Sequence, residues 1–238
     1  MQFCILNHSA DDAITPSVLQ RIADAIEEQL YQDYAPFWQS SGVPVRVISS
    51  LSQARPDDCL LVIFDRPDQP GLLGWHTYSP DGHIYGRVFW EPIRASGGAL
   101  TSGPDSLSAT LSHEALEALQ NPYVNLWAQM SATLFEPTEV CDRVESRSYA
   151  KNGVSVSDFL GPRAFRDGPG PYSYMAQAGL APDLPDPWAI AEGGYVVRLD
   201  VTSGEMETSW GGAFPEWKKD LKQHGRKARG LARLGKKG

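Results

Sequence analysis

The sequence predicts an α+β fold in which a mixed β-sheet packs against an N-terminal helix and against a second helix in the middle of the chain. Three observations carry this prediction: a helical apolar pattern near the amino end, a series of strand-like segments from residue 43 to 93, and a second helical segment at residues 105–121. The chain has 238 residues, of which 42% are hydrophobic and 21% are charged, so its composition is that of a globular protein.

The N-terminal helix is predicted over residues 15–33, TPSVLQRIADAIEEQLYQD. Thr15 is a suitable cap, and Pro16 suits the first turn, where a backbone N–H is not needed. One side of this helix is apolar and consists of Val18, Leu19, Ile22, Ile26 and Leu30. The dipeptide Ala35-Pro36 predicts the end of the helix, because the residue before a proline disfavours helical geometry.

The predicted strands lie on both sides of the central helix. VPVRVISS alternates as a half-buried strand, and CLLVIFD, which begins at Cys59, has the composition of a fully buried one. GWHTYS and HIYGRVFWEPI flank the pair Asp81-Gly82, which predicts a hairpin turn. After a proline-rich loop at residues 161–187, whose interspersed aromatic residues favour burial, GGYVVRLDVTSGEMETSW returns to a strand pattern.

The central helix is predicted in DSLSATLSHEALEALQNP, with Asp105 or Ser106 as its cap and Asn121-Pro122 at its end. Its apolar arc consists of Leu107, Leu111, Ala115, Ala118 and Leu119. That arc is expected to face the core, which leaves the polar residues of the helix on another side.

His113 and Glu117 are four residues apart on this helix, so their side chains project about 40° apart. The H-E-x-x-H zinc helix has the same layout: ligands at i and i+4, and a glutamate beside the first ligand that acts on water as a general base. Here Glu117 takes the place of the second histidine, and Glu114 takes the place of the base. The pattern predicts a metal-binding active-site helix, and the alternative is a solvated helix face.

A dense series of acids follows in FEPTEVCDRVE, which contains Glu136, Glu139, Asp142 and Glu145. A catalytic zinc site needs a third protein ligand, and Glu139 is the first choice. Asp142 is either a ligand or an acceptor that orients the His113 ring. The alternative for the whole series is an acidic surface turn. One divalent cation per chain is expected, with zinc first and with manganese and calcium left open, because two carboxylates accompany one imidazole.

The segments LSHEALEALQNP, EVCD, VSVSDFLGP and GGYVV resemble a family of largely uncharacterised bacterial and phage proteins with a zincin-like fold. The similarity extends upstream to QLYQDYAPFW and GLLGWHTYSPDGHIYG and covers most of residues 1–200. It implies a metal-dependent hydrolase fold. The matching positions are His113, Glu114, Glu117, Glu139 and Asp142, and more weakly Asp158. The chain departs from ordinary zincins at Glu117, the second ligand of the helix.

Other potentially reactive residues have more ordinary interpretations. His76 and His83 border the predicted hairpin, where one of them could donate to an oxyanion, but a surface or core position is the favoured interpretation. Cys59 is expected to be a buried strand residue. Cys141 lies among acids, which disfavour a thiolate, so it is not expected to be a nucleophile.

The net charge of −8 is unevenly distributed. Nine of the 21 basic residues but one of the 29 acidic residues lie from Lys218 onward, so residues 1–217 carry a net charge of −16. The sequence therefore predicts one acidic domain at 1–217 and a basic, mobile C-terminal arm at 218–238. The acidic domain disfavours nucleic-acid binding, whereas the arm could bind an acidic partner or a nucleic acid.

The leading functional hypothesis is a metal-dependent hydrolase, most specifically a zinc peptidase that cleaves a peptide or protein substrate with Glu114 as general base. The alternative is a non-catalytic structural or binding protein, for example a phage virion component, that keeps the same scaffold and metal site. A nucleic-acid binder that acts through the arm is the third hypothesis. The amino end lacks a signal-peptide pattern and the chain lacks a long apolar run, which predicts cytoplasmic synthesis without membrane insertion.

Overall fold

The first five strands of the α+β fold form one mixed sheet in the computed structural model, which describes residues 1–68 and 72–212. The strands are β1 (Gln2–Asn7), β2 (Val45–Ile48), β3 (Asp58–Phe64), β4 (Gly74–Tyr78) and β5 (Ile84–Phe89), in the order β2-β1-β3-β5-β4. Strands β1, β2, β3 and β5 run parallel, whereas β4 pairs antiparallel with β5. Strand β4 therefore forms one edge of the sheet.

Strand β1 was not anticipated from the sequence. It lies between β2 and β3, and four of its six residues are buried. A strand buried on both faces is a continuous apolar run without alternation. Such a run at the start of a chain has no periodicity that distinguishes it from other apolar segments.

Helix α1 (Pro16–Gln29) begins as predicted, because the Thr15 side chain accepts a hydrogen bond from the backbone N–H of Val18. The prediction that Ala35-Pro36 ends this helix was wrong. A π-helical turn at Leu30–Tyr34 leads directly into the short helix α2 (Ala35–Trp38). Pro36 lies in the first turn of α2, the part of a helix that tolerates proline best.

The hairpin predicted at Asp81-Gly82 is confirmed. Gly82 has a φ of +83°, which glycine adopts without a steric penalty, and its N–H donates to the carbonyl of Ser79. Strand β5 ends at Phe89, and WEPI belongs to helix α3 (Trp90–Ala95) rather than to the predicted strand. Trp90 anchors this helix, because its indole N–H donates to the Asp11 carboxylate at 2.7 Å.

The central helix α4 (Leu107–Gln120) has Ser106 as its cap, and the Ser106 hydroxyl accepts a hydrogen bond from Ala109 N–H at 3.2 Å. Its predicted apolar arc faces the core, with Leu107, Leu111, Ala115 and Ala118 all buried. The helix packs against the sheet at β3, β4 and β5 and against a later hairpin. The polar side of α4 is thereby placed next to the edge strand β4.

Two smaller sheets complete the described part of the chain. One is antiparallel, with β6 (Trp127–Gln129), β7 (Leu134–Pro137), β10 (Tyr195–Asp200) and β11 (Glu205–Trp210) in the order β11-β10-β7-β6. The other is the hairpin of β8 (Ser148–Lys151) and β9 (Val154–Ser157), which contacts α1 and α4. The proline-rich loop at 161–187 includes the one-turn helix α5 (Tyr174–Gln177) and buries Tyr172, in agreement with its aromatic content.

The predicted basic arm, residues 218–238, lies outside the described residues. Within the ranges 1–68 and 72–212, none of the helices has both the length and the apolar composition needed to cross a bilayer.

A buried hydrogen-bond network connects α4 to α1 and to the β8–β9 hairpin. The Ser112 hydroxyl donates to Gln29 Oε1 at 2.6 Å and accepts from Ser157 N–H at 3.1 Å, and both side chains involved are buried. The Gln29 amide in turn donates to Tyr149 Oη and to the Ser157 carbonyl. The network therefore holds α4 in place at the residue next to His113.

We expect Ser112→Ala to lower the free energy of unfolding by about 1–3 kcal/mol, because it leaves a buried carbonyl oxygen and a buried N–H without their partner. Urea unfolding followed by circular dichroism measures the change. Ser41→Ala, at an exposed serine, is the control and should change stability by less than about 0.5 kcal/mol. Equal effects of the two substitutions would contradict a structural role for the network.

Candidate metal centre

Two histidines and four carboxylates converge at the junction of α4, β4 and the segment after β7. Helix α4 contributes His113, Glu114 and Glu117; strand β4 contributes His76; and the segment after β7 contributes Glu139 and Asp142. His76 and the four carboxylate residues are buried, and the side chain of His113 is 12% exposed. Glu139 and Asp142 are therefore not part of an acidic surface turn, which was the alternative for the acid series.

The first half of the centre surrounds His113. Its Nε2 lies 3.2 Å from Glu117 Oε1 and 3.6 Å from Asp142 Oδ1. The i,i+4 spacing thus brings the two predicted ligands of the helix together, and Asp142 faces the same ring nitrogen. Cys141 Sγ belongs to this group too, because it lies within 4.8 Å of ligand atoms of His113 and Glu117. Burial and the charge of Glu117 raise the pKa of the Cys141 thiol, so it is protonated at neutral pH, which agrees with the expectation that it is no nucleophile.

The second half surrounds His76, for which the sequence favoured an ordinary surface or core position. The residue is buried, and its Nδ1 lies 3.6 Å from Glu114 Oε2 and 3.7 Å from Glu117 Oε2. Its Nε2 lies 3.9 Å from Glu139 Oε2 and 3.2 Å from the carbonyl oxygen of Asn121. Glu139, the first choice as the third ligand beside His113 and Glu117, thus lies next to His76 and in one group of potential ligands with Glu117.

The sequence contains a weak signal for His76. In the alternating strand GWHTY, His76 points to the same side as Gly74, and it pairs with Gly86 of β5. A Cβ at Gly74 would lie 2.6 Å from Glu114 Oε1, so a glycine at this position permits the close approach of β4 to α4. Small residues at both positions leave room for polar side chains, but only the strand pairing shows which histidine faces them.

The two imidazoles and the carboxylates strongly shift one another's pKa values. Burial lowers the pKa of His76, but the carboxylates of Glu114, Glu139 and Glu117 outweigh this effect and raise the pKa to about 9. The pKa of His113 is likewise raised, because Glu117 and Asp142 outweigh its burial. Burial and the carboxylates of Asp142 and Glu139 raise the pKa of Glu117 to about 7, against the opposing effect of His113. The neighbouring carboxylates thus contribute to all three pKa shifts, together with burial in the case of Glu117.

The other residues considered from the sequence lie outside this cluster. Glu136 forms ion pairs with Arg143 at 2.8 Å and with Arg198 at 3.2 Å. Asp158 is buried and accepts hydrogen bonds from the backbone N–H groups of Phe159 and Met175. His83 is exposed, and its Nδ1 lies 3.0 Å from the Pro56 carbonyl oxygen, in agreement with a surface role.

A cleft opens beside the polar side of α4. It is lined by His113, Glu114 and Glu117, by Gly74 of the edge strand and by Tyr195 of β10, among other residues. A molecule in the cleft would thus contact both the candidate metal ligands of α4 and the edge of the sheet.

The chain matches no protein-family model, no curated protein and no solved structure. The function therefore has to be inferred from the chemistry of the site. Imidazole and carboxylate groups within 4.8 Å of one another can hold a divalent cation, and the excess of buried carboxylates favours one.

Proposed function

We propose that the protein is a zincin-like, metal-dependent hydrolase that cleaves peptide bonds. The observation that carries this proposal is the placement of His113, Glu117 and Asp142, whose ligand atoms face one another beside an open cleft. Glu114 lies next to His113 on the same helix and lines the same cleft. These residues supply a nitrogen ligand, two oxygen ligands and a base, which is the set that a hydrolytic metal site requires.

The surrounding fold supports a peptide as substrate. Strand β4 is the antiparallel edge of the mixed sheet, and it borders the cleft at Gly74. An extended peptide can add to such an edge through main-chain hydrogen bonds. A peptide bound in this way would pass along the polar side of α4, with a scissile bond near His113.

The protein's own residues have two roles in the proposed hydrolysis: some bind the cation, and one transfers protons. His113, Glu117 and Asp142 would hold the cation. When bound, a divalent cation supplies a Lewis acid for the scissile carbonyl and makes water more acidic. Glu114 accepts the proton of the attacking water on its carboxylate and transfers it to the leaving amine. The burial of Glu114 limits competing solvent at this carboxylate.

Metal removal tests the proposal directly. We expect the full-length protein to bind zinc or manganese and to cleave members of a broad peptide library, with cleavage lost after chelation and restored by the same cation. His113→Ala should lose both cation and cleavage, because it removes the nitrogen ligand of the helix. Elemental analysis and mass spectrometry of the library measure the two quantities in parallel.

Two outcomes would count against the proposal. A wild-type protein that takes up neither zinc nor manganese has no metal site of this kind. Cation uptake without cleavage of any library peptide would favour the alternative, a structural or binding protein in which the cation stabilises the fold.

A further inference from the structure

We propose that the centre holds two divalent cations bridged by the Glu117 carboxylate, one at His113 with Asp142 and the other at His76 with Glu139. This inference deepens the proposed function and rests on the same site, but its test measures metal binding rather than hydrolysis. The second position uses His76 and Glu139, and neither is needed for the first.

The two oxygens of Glu117 face different imidazoles. Oε1 lies 3.2 Å from His113 Nε2, and Oε2 lies 3.7 Å from His76 Nδ1. Two separate groups of ligand atoms, each within 4.8 Å, share this glutamate: one contains His113 and Cys141, and the other contains His76 and Glu139. A carboxylate that gives one oxygen to each of two cations is the usual bridge in two-metal sites, where the cations are about 3.5–4 Å apart.

The imidazole of His76 lies among three carboxylates. Its Nδ1 is 3.6 Å from Glu114 Oε2 and 3.7 Å from Glu117 Oε2, and its Nε2 is 3.9 Å from Glu139 Oε2. Three buried carboxylates around one imidazole repel one another unless a proton or a cation lies among them.

A buried oxygen that accepts no hydrogen bond lies at the same place. Glu114 is 4% exposed, and its Oε2 accepts no hydrogen bond from any described residue, although it is 3.6 Å from His76 Nδ1. Leaving a buried carboxylate oxygen without a donor is unfavourable. A cation held by His76, Glu117 and Glu139 would offset the charge of this oxygen from nearby, without Glu114 as one of its ligands.

The charge of the site distinguishes two cations from one. The carboxylates of Glu114, Glu117, Glu139 and Asp142 contribute four negative charges when ionised. With one divalent cation bound, a proton on His76 offsets one further negative charge, whereas a second divalent cation there offsets two, so the buried net charge is smaller with two cations. Because each position includes an imidazole, zinc and manganese fit better than calcium, which prefers oxygen ligands.

Stoichiometry tests the inference. Full-length protein is freed of metal, titrated with zinc, desalted and analysed for metal per chain. We expect two equivalents in the wild type and one in His76→Gln and in Glu139→Gln, because these substitutions remove ligands of the second position alone. His83→Gln, on the same hairpin but at an exposed position, should keep two. Circular dichroism and thermal unfolding of each variant establish that it is folded.

Electron paramagnetic resonance of the manganese-loaded protein gives a second measurement. Two ions that share the Glu117 carboxylate should give an exchange-coupled spectrum, which should become that of isolated ions in His76→Gln. A wild type that binds one equivalent, with the same value in His76→Gln, would overturn the inference. The carboxylates around His76 would then be compensated by a proton rather than by a cation. In that case the proposed hydrolase with one cation would stand. Two equivalents without any peptide cleavage would sustain the inference and overturn the proposed function.

Discussion

Glu114→Gln should reduce peptide cleavage by a factor of about 10²–10⁴ and leave the metal content at the wild-type value. Glutamine preserves the shape of the side chain, but its amide cannot accept the proton of the attacking water. Glu114 lines the cleft next to His113, so it is placed to receive that proton. The rate of cleavage of a library-derived peptide and the metal content per chain should be measured on the same preparations, since the proposal requires the first to fall while the second stays constant.

The matched control is Glu145→Gln, which removes the charge of another carboxylate that lines the same cleft. Its expected effect on the rate is small, because Glu145 does not adjoin His113 on α4. Wild-type rates in Glu114→Gln would exclude Glu114 as the general base. A loss of metal together with activity would show instead that Glu114 is a ligand.

Arg143→Met should lower the free energy of unfolding by about 3–5 kcal/mol, because it leaves a buried carboxylate with only part of its compensating charge. The Arg143 side chain is completely buried, and its Nε lies 2.8 Å from Glu136 Oε1. Its other nitrogens donate to the carbonyl oxygens of Pro187, Ala189 and Ala164. Methionine fills a similar volume but provides no donors, so three carbonyl groups and Glu136 lose a hydrogen bond or ion pair.

Urea unfolding of Arg143→Met and of Arg66→Met compares the loss of a buried arginine with the loss of an exposed one. Arg66 pairs with Glu91 at 3.1 Å, but its side chain is 83% exposed, so its removal should change stability by less than about 1 kcal/mol. Since Arg143 follows Asp142 in the chain, we also expect weaker cation binding in Arg143→Met. A stability loss below about 1 kcal/mol in both variants would show that the Arg143–Glu136 pair contributes no more than a surface pair.

The elements that could be predicted are those whose determinants lie within one helical turn or one strand. The caps at Thr15 and Ser106 act over three residues, and the structure contains both hydrogen bonds. The hairpin at Asp81-Gly82 follows from the conformational freedom of its glycine. The end of the first helix was misplaced because a π-helical turn, which has no simple sequence pattern, connects α1 to α2, and α2 contains Pro36.

In the candidate site, too, the contacts set by local spacing could be predicted, and the contacts between distant segments could not. The contact between His113 and Glu117 depends only on their i,i+4 spacing, and the sequence by itself determined it. Which acid faces which histidine depended on the tertiary structure: Asp142 faces His113, whereas Glu139 faces His76. That choice depends on how the segment after β7 crosses the end of α4, which no local pattern encodes.

What the sequence determined about this protein is thus a helix with one imidazole and two carboxylates on its polar side, together with the alternation of the strands around it. What only the tertiary structure decided is that His76, on an edge strand more than 30 residues earlier, joins a second group of potential metal ligands around Glu117. The physical reason is that helical neighbours are set by the pitch of the helix, whereas neighbours across a sheet and a helix are set by strand pairing and close packing. The pairing of β4 with β5, and the glycine that lets β4 approach Glu114, brought His76 to the site.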